Sequence, residues 1–244
     1  ESQASYMQNY GIQDAGACSF GVVNTQEKLA KLTKSDLWKE WEQQFLNTTG
    51  IATLANNWIR QETVICSKKP LNTLADFKGV KIRTVSSETT IASYNALGFS
   101  ATPIAFSEVF LSLQQGVVDA TFGTKDNIYT NSFYVEAPNI LMWGPSCTNL
   151  GVWINNAKLQ SMTEAQRQIL TDACNEAGDW YTSEANKLTE GYVEDMVKAG
   201  ANLTYLSEAD TEAANNTLVE LGRSYEGSKL SAGVMDSILA AVHE

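Results

Sequence analysis

The sequence predicts an α/β protein of two lobes, and three observations carry that reading. Between Val80 and Phe122 strand-like and helix-like patterns alternate in the order strand, helix, strand, helix, strand, which is the order of a parallel sheet. From Thr163 to Ala199 apolar residues recur every three or four positions without heptad regularity. That pattern describes one helix of about 36 residues, roughly 54 Å long, too long for a single compact domain and suited to a beam lying along two lobes. Of the 244 residues, 43% are hydrophobic, and no run approaches the roughly 18 apolar residues of a membrane helix.

Taken in chain order, Glu1–Tyr10 reads as the end of a helix and Gly11–Gly16 as a strand. Trp58, Ile59 and Arg60 lead into a strand over Thr63–Cys66. After Gly79, Val80 and Ile82 alternate with Lys81 and Arg83, so a short strand ends on Arg83 and aims its guanidinium past the sheet edge. In open α/β sheets that edge is where ligands sit. The alternative is that Arg83 pairs with a surface acid such as Glu88. Ile91, Tyr94 and Leu97 lie at helical spacing in Thr89–Leu97, and Gly98 stops that helix. Ala101–Phe106 forms the next strand. Ser107 caps a helix with Val109, Phe110 and Leu113 on one face, Gly116 ends it, and Val117–Phe122 is a further strand. Ile140–Met142 is a short apolar strand leading to Trp143. Thr163 and Gln166 have the spacing of a capping box at the head of the long helix. A break near Gly178 or Gly191 is the alternative, since each glycine costs a helix about 1 kcal/mol against alanine.

The exclusions are as informative. A net charge of −11 argues against nucleic acid and anionic membrane surfaces as partners. If so acidic a chain binds an acid, the positive charge must be local. The only histidine, His243, stands next to last, which removes Ser-His and Cys-His catalysis from consideration. There is no dinucleotide-binding glycine pattern, no phosphate loop, and no nucleophile elbow, since Gly144-Pro145-Ser146-Cys147-Thr148 lacks the second glycine. Cys18, Cys66, Cys147 and Cys174 have neither C-x-x-C nor zinc spacing and read as buried thiols or as one or two disulfides, which spacing does not pair. The acidic pairs Glu40/Glu42, Glu194/Asp195 and Glu208/Asp210 fall in helical contexts where solvated faces account for them.

Three stretches, KKPLNTLADFKGVKIR (Lys68–Arg83), ALGFSATPIAFSEVF (Ala96–Phe110) and LQQGVVDA (Leu113–Ala120), stand together in an order that resembles the solute-binding proteins of tripartite ATP-independent periplasmic (TRAP) transporters, the DctP type. The resemblance continues more weakly from about Arg60 onward. It implies a class II-like periplasmic-binding-protein clamshell in which the long helix spans both lobes. The first lobe is then 1–58 with 149–188, and the second is 59–148 with 189–244. Family members open with a strand, helix, strand unit that nothing upstream of Gly11 supplies, so the first lobe is expected to be incomplete at its N-terminus. The family implies no catalysis and no cofactor, but a periplasmic protein that captures a small organic acid and delivers it to the membrane subunits of a TRAP transporter; a metal ion accompanies the carboxylate in some relatives, and no residue here has the spacing of a metal ligand. A ligand-binding sensory module of an extracytoplasmic receptor is the alternative. The implied ligand contacts are Arg83, Arg60, Phe106, Gly123 and Trp143. At Gly123 many members carry an asparagine that holds the ligand. Its loss makes sugar acids less suited, and the extra room suits a compact aromatic or hydroxy acid.

Overall fold

The computed structural model describes residues 2–243. The helices are α1 (Gln3–Asn9), α2 (Gln26–Lys34), α3 (Asp36–Thr49), α4 (Glu88–Ala96), α5 (Val109–Gln114), α6 (Lys125–Thr130), α7 (Phe133–Glu136), α8 (Asn156–Gln160), α9 (Glu164–Lys198), α10 (Glu208–Tyr225) and α11 (Val234–His243). The strands are β1 (Ile51–Ser67), β2 (Lys81–Thr84), β3 (Ser100–Pro103), β4 (Ala120–Thr124), β5 (Asn139–Leu141), β6 (Cys147–Asn155) and β7 (Asn202–Thr204). No helix among the described residues is long and apolar enough to cross a membrane.

β1 organises the molecule. Its 17 residues extend roughly 55 Å at a strand's rise. Over its first part it pairs antiparallel with β6, from Ile51↔Asn155 to Glu62↔Cys147, with irregular register between Thr53 and Ala55, between Ala55 and Trp58, and again between Ile59 and Glu62. Over its last five residues it changes neighbours and runs antiparallel to both β4 (Thr63↔Thr124 to Ser67↔Ala120) and β5. The larger sheet has the order β3-β2-β4-β1-β5-β7. Within it β2 is parallel to β3 and β4, as the alternating pattern from Val80 to Phe122 predicts.

Strand alternation sorts the side chains into cores. Val64 and Cys66 point to one face of the larger sheet, with Val109, Val118, Phe133 and Ile140. Ile65 points to the other, with Phe77, Ile82, Tyr94 and Leu141. A separate core in the first lobe gathers Met7, Phe20, Leu32, Trp38, Trp41 and Phe45. Helix α11 belongs to this first core: Val234, Met235, Ile238 and Val242 face it. That differs from the assignment of 189–244 to the second lobe. α10 straddles the two, burying Ala214 and Leu218 in the second lobe and turning Val219 and Tyr225 toward the first.

Two local readings are corrected. Gly11–Gly16 is not a strand; Gln13–Ser19 winds as 3-10 turns after Gly11 takes a positive φ of 100°. The backbone closes on itself here, with Ile12 N–H donating to Met7 O and Ala15 N–H to Ile12 O, so no donors are left aligned for a sheet. Ser107 caps nothing, because it lies inside a 3-10 turn over Phe106–Glu108 that precedes α5.

The long helix is one piece of 35 residues, with the capping box made by Thr163 and Gln166 in both directions at 2.9 and 3.3 Å. It lies along β1 and is tied to it by polar side chains. Asn57 Nδ2 donates to Asn175 O and Asp179 Oδ1, both at 2.8 Å. Thr182 Oγ1 accepts from Ile59 N–H and donates to Asn57 O, both at 3.0 Å. Gln61 Nε2 donates to Ala185 O at 2.7 Å. Gly178 sits at the closest approach, where a β-carbon would collide with Asn57 Oδ1 and come within 2.8 Å of Trp58 Cδ1. Gly191 has open space around it. Gly178→Ala should therefore lower the urea midpoint, with a loss of about 1–3 kcal/mol from overpacking. Gly191→Ala should raise it, by about 0.5–1 kcal/mol of helix propensity. Equal effects of the two substitutions would contradict the helix-on-strand contact at Gly178.

Candidate ligand-binding site

Where β1 changes sheets, the ends of β2 and β4 and the first lobe enclose a cavity of about 850 Å³. Arg83 reaches it from the end of β2. Its residue is only 4% exposed, its Nε donates to Ile104 O at 2.8 Å, and its Cζ lies 5.6 Å from the Phe106 ring centre. None of the ion pairs among the described residues includes it. Glu88, the surface acid that could have claimed it, is paired with Lys229. Burial holds the Arg83 pKa below its ordinary value, with the nearby Tyr94 phenol acting in the opposite direction. An arginine stays charged regardless, so a buried cation without a counter-charge stands ready for an anion. The bond from Nε to Ile104 O leaves the two terminal nitrogens as an end-on fork for a carboxylate.

Arg60 lines the same cavity from β1 but in a different electrostatic state. Its Nη2 donates to Thr124 Oγ1 at 2.5 Å and lies 3.3 Å from Asp126 Oδ2, with the side chain 21% exposed. Much of its charge is answered within the protein. The remaining charged side chains stay away: no Asp, Glu or Lys of the described residues lines the cavity.

The other expected contacts divide. Phe106 is on the rim, 44% exposed, with its edge on Phe133 at 5.7 Å. Gly123 is in the wall, where a β-carbon would meet Asn127 Cβ at 3.4 Å. The side chain of Asn127, one turn into α6, lines the cavity and makes no hydrogen bond among the described residues, so an amide is present beside Gly123 although not at it. Trp143 is not in the wall. Leu141 and Trp143 lie two residues apart and project to the same face, where Trp143 packs against Phe77 at 6.2 Å between ring centres. The segment after Trp143 does reach the cavity. Gly144 allows this, since a β-carbon there would collide with the backbone of Thr63. Ser146 O accepts from Thr63 N–H at 3.1 Å and from Thr63 Oγ1 at 2.7 Å, which fixes that wall.

One residue that sequence reasoning left in the core belongs to the site. Tyr94, on α4, lines the cavity while 1% exposed, and its hydroxyl is buried without a hydrogen-bond partner among the described residues. A hydroxyl on an otherwise apolar helix face was the signal available for it.

Comparison with known proteins fits this geometry. Residues 6–228 match the family described as bacterial extracellular solute-binding protein, family 7, DctP. The chain belongs to that family. Its members are substrate-binding transport proteins and not enzymes, and they lend no support to the sensory alternative. The sialic acid-binding periplasmic protein SiaP of Vibrio cholerae is 27% identical over 179 residues, covering 73% of this chain and 56% of that protein. The C4-dicarboxylate-binding periplasmic protein DctP of Rhodobacter capsulatus is 27% identical over 235 residues, covering 96% of this chain and 70% of that one. The chain thus spans little more than half the length of the sialic acid-binding relative. In structure it resembles a TRAP periplasmic solute-binding protein from Ralstonia eutropha, solved with (S)-2-acetolactate, with a TM-score of 0.87, 21% identity, and coverage of 100% of this chain and 78% of that one. The two-lobed fold is that of this family.

All four cysteines are free thiols. Burial pushes Cys18, Cys66 and Cys147 up to about 12, whereas Cys174 on α9 is part-exposed. Only thiolates react with aromatic disulfide reagents. At pH 8 the native chain should therefore release about one equivalent quickly, from Cys174, and the other three only after denaturation. Rapid reaction of three or more thiols in the native chain would contradict the packing around them.

Proposed function

We propose that the chain is a periplasmic solute-binding protein that captures a small organic acid as its carboxylate in the interlobe cavity and delivers it to the membrane subunits of a TRAP-type transporter. The observation that carries this reading is Arg83, a buried guanidinium with two free terminal nitrogens and no acidic partner among the described residues, near the C-terminal end of the parallel strand β2. A carboxylate there replaces lost hydration with charge-assisted hydrogen bonds in a partly dry cavity. The transport role follows from family membership, and the capture of acids agrees with the dicarboxylate and sialic acid named for the relatives. Lobe closure supplies the signal to the membrane partner. β1 and α9 run through both lobes, and the last of the register irregularities of β1, between Ile59 and Glu62, falls where it changes sheets, so bending there would open or close the site.

Calorimetry of the full chain against a panel of three- to six-carbon carboxylic acids tests the reading. Removing one partner of a buried charge pair costs about 2–5 kcal/mol, so Arg83→Ala should weaken binding roughly 30-fold to several thousand-fold. Arg83→Lys should also bind poorly, because an ammonium cannot form the fork. Arg60→Ala should lose less, its charge being shared with Asp126. Affinity within threefold of wild type for Arg83→Ala would remove the carboxylate reading.

A further inference from the structure

Among the described lining residues, Tyr94 carries a buried hydroxyl without a hydrogen-bond partner, and the carboxylate reading leaves it unexplained. A phenol hydroxyl taken out of water without a partner is costly, and buried Tyr hydroxyls are ordinarily paired. Here the ring is clamped: it stacks on Phe122 at 4.8 Å and meets Phe99 edge-on at 5.7 Å. The hydroxyl cannot swing out to find a partner. It lies in the electrostatic field of Arg83, with Tyr94 on the second turn of α4, the helix that follows β2.

Resting on the carboxylate reading above, we propose that the Tyr94 hydroxyl recognises an oxygen on the carbon next to the ligand's carboxylate, so that the site selects 2-hydroxy or 2-oxo monocarboxylic acids. Arg83 takes the carboxylate on its terminal nitrogens, and the clamped hydroxyl beside it meets the next oxygen along the ligand. The rest of the described wall is uncharged, with Phe122 and Ile104 beside hydroxyl and amide side chains such as Ser87, Thr90 and Asn127. The charges in the wall set the rest of the specificity. A second carboxylate would need a second free cation, and Arg60 is already engaged by Asp126. An ammonium group would need an acidic partner, and none of the described lining residues is acidic, so amino acids are excluded by the cost of an unpaired buried charge.

The test is calorimetry and thermal shift on the full chain and on Tyr94→Phe, with lactate, pyruvate and 2-oxoisovalerate against propionate and isovalerate, and with succinate and alanine as further arms. The wild type should prefer the 2-oxygenated acids by about 10-fold or more over their 2-deoxy counterparts and over succinate and alanine. Tyr94→Phe should lose about 10- to 100-fold on the 2-oxygenated acids only, the worth of one hydrogen bond in a charged, buried setting. The ligand-free variant should melt no lower than wild type, since the lost hydroxyl had no partner, and that separates recognition from packing. Equal losses for both acid series, or unchanged discrimination in Tyr94→Phe, overturn the assignment of Tyr94 while leaving Arg83 in place. Tighter binding of succinate or alanine than of lactate overturns the charge argument. Binding of no carboxylate at all overturns the reading on which the proposal rests, and the proposal with it.

Discussion

Everything in this molecule hangs on a single strand serving two sheets. β1 cannot satisfy its backbone donors and acceptors with one set of neighbours over 17 residues, so it pairs with β6 and then with β4 and β5, and the change of partner creates the cleft. α9, of nearly the same length, covers the back of that strand and joins the lobes a second time. The contacts between the two combine polar side chains with the stack of Trp58 on Tyr181, and Gly178 allows their close approach.

The cleft in turn sets the electrostatics. Both arginines are held at the same crossing, but the protein treats them differently. Arg60 is given Asp126 and Thr124, and behaves as part of the wall. Arg83 is given a carbonyl oxygen and an aromatic ring and no anion. A chain with a net charge of −11 has many carboxylates available to neutralise it, yet the nearest candidate on α4, Glu88, is turned toward Lys229 instead. Leaving a buried cation unpaired in the empty state puts the favourable part of the pairing into ligand capture.

Much of this was legible in the residues. Val80–Arg83 and the alternation that follows define the parallel strands β2, β3 and β4, because turn glycines and helical spacing there agree with the final packing. Arg83 at a strand end was readable for the same reason, and the capping box at Thr163 marks the long helix to within a residue. What escaped was decided by long-range contacts. The family's order of elements points to a strand over Gly11–Gly16, whereas Gly11 turns the chain at positive φ and Gln13–Ser19 closes into 3-10 turns. Trp143 follows an apolar strand into the cleft region, yet the period of two sends it to the same face as Leu141 and away from the cavity. The apolar face of α11 is plain in the sequence, but which core it joins depends on α2 and the first lobe. Tyr94 stands at the same helical spacing as Ile91 and Leu97, and its hydroxyl alone set it apart from them.

The central claim is that Arg83 is the anion receptor of the cleft. A crystal structure of the full chain grown with the tightest-binding acid of the panel tests it most directly. It should show the ligand's carboxylate end-on against both terminal nitrogens of Arg83, with Arg60 still held by Asp126. A carboxylate bound to Arg60 with that ion pair broken, or a ligand that leaves the Arg83 guanidinium untouched, would contradict it.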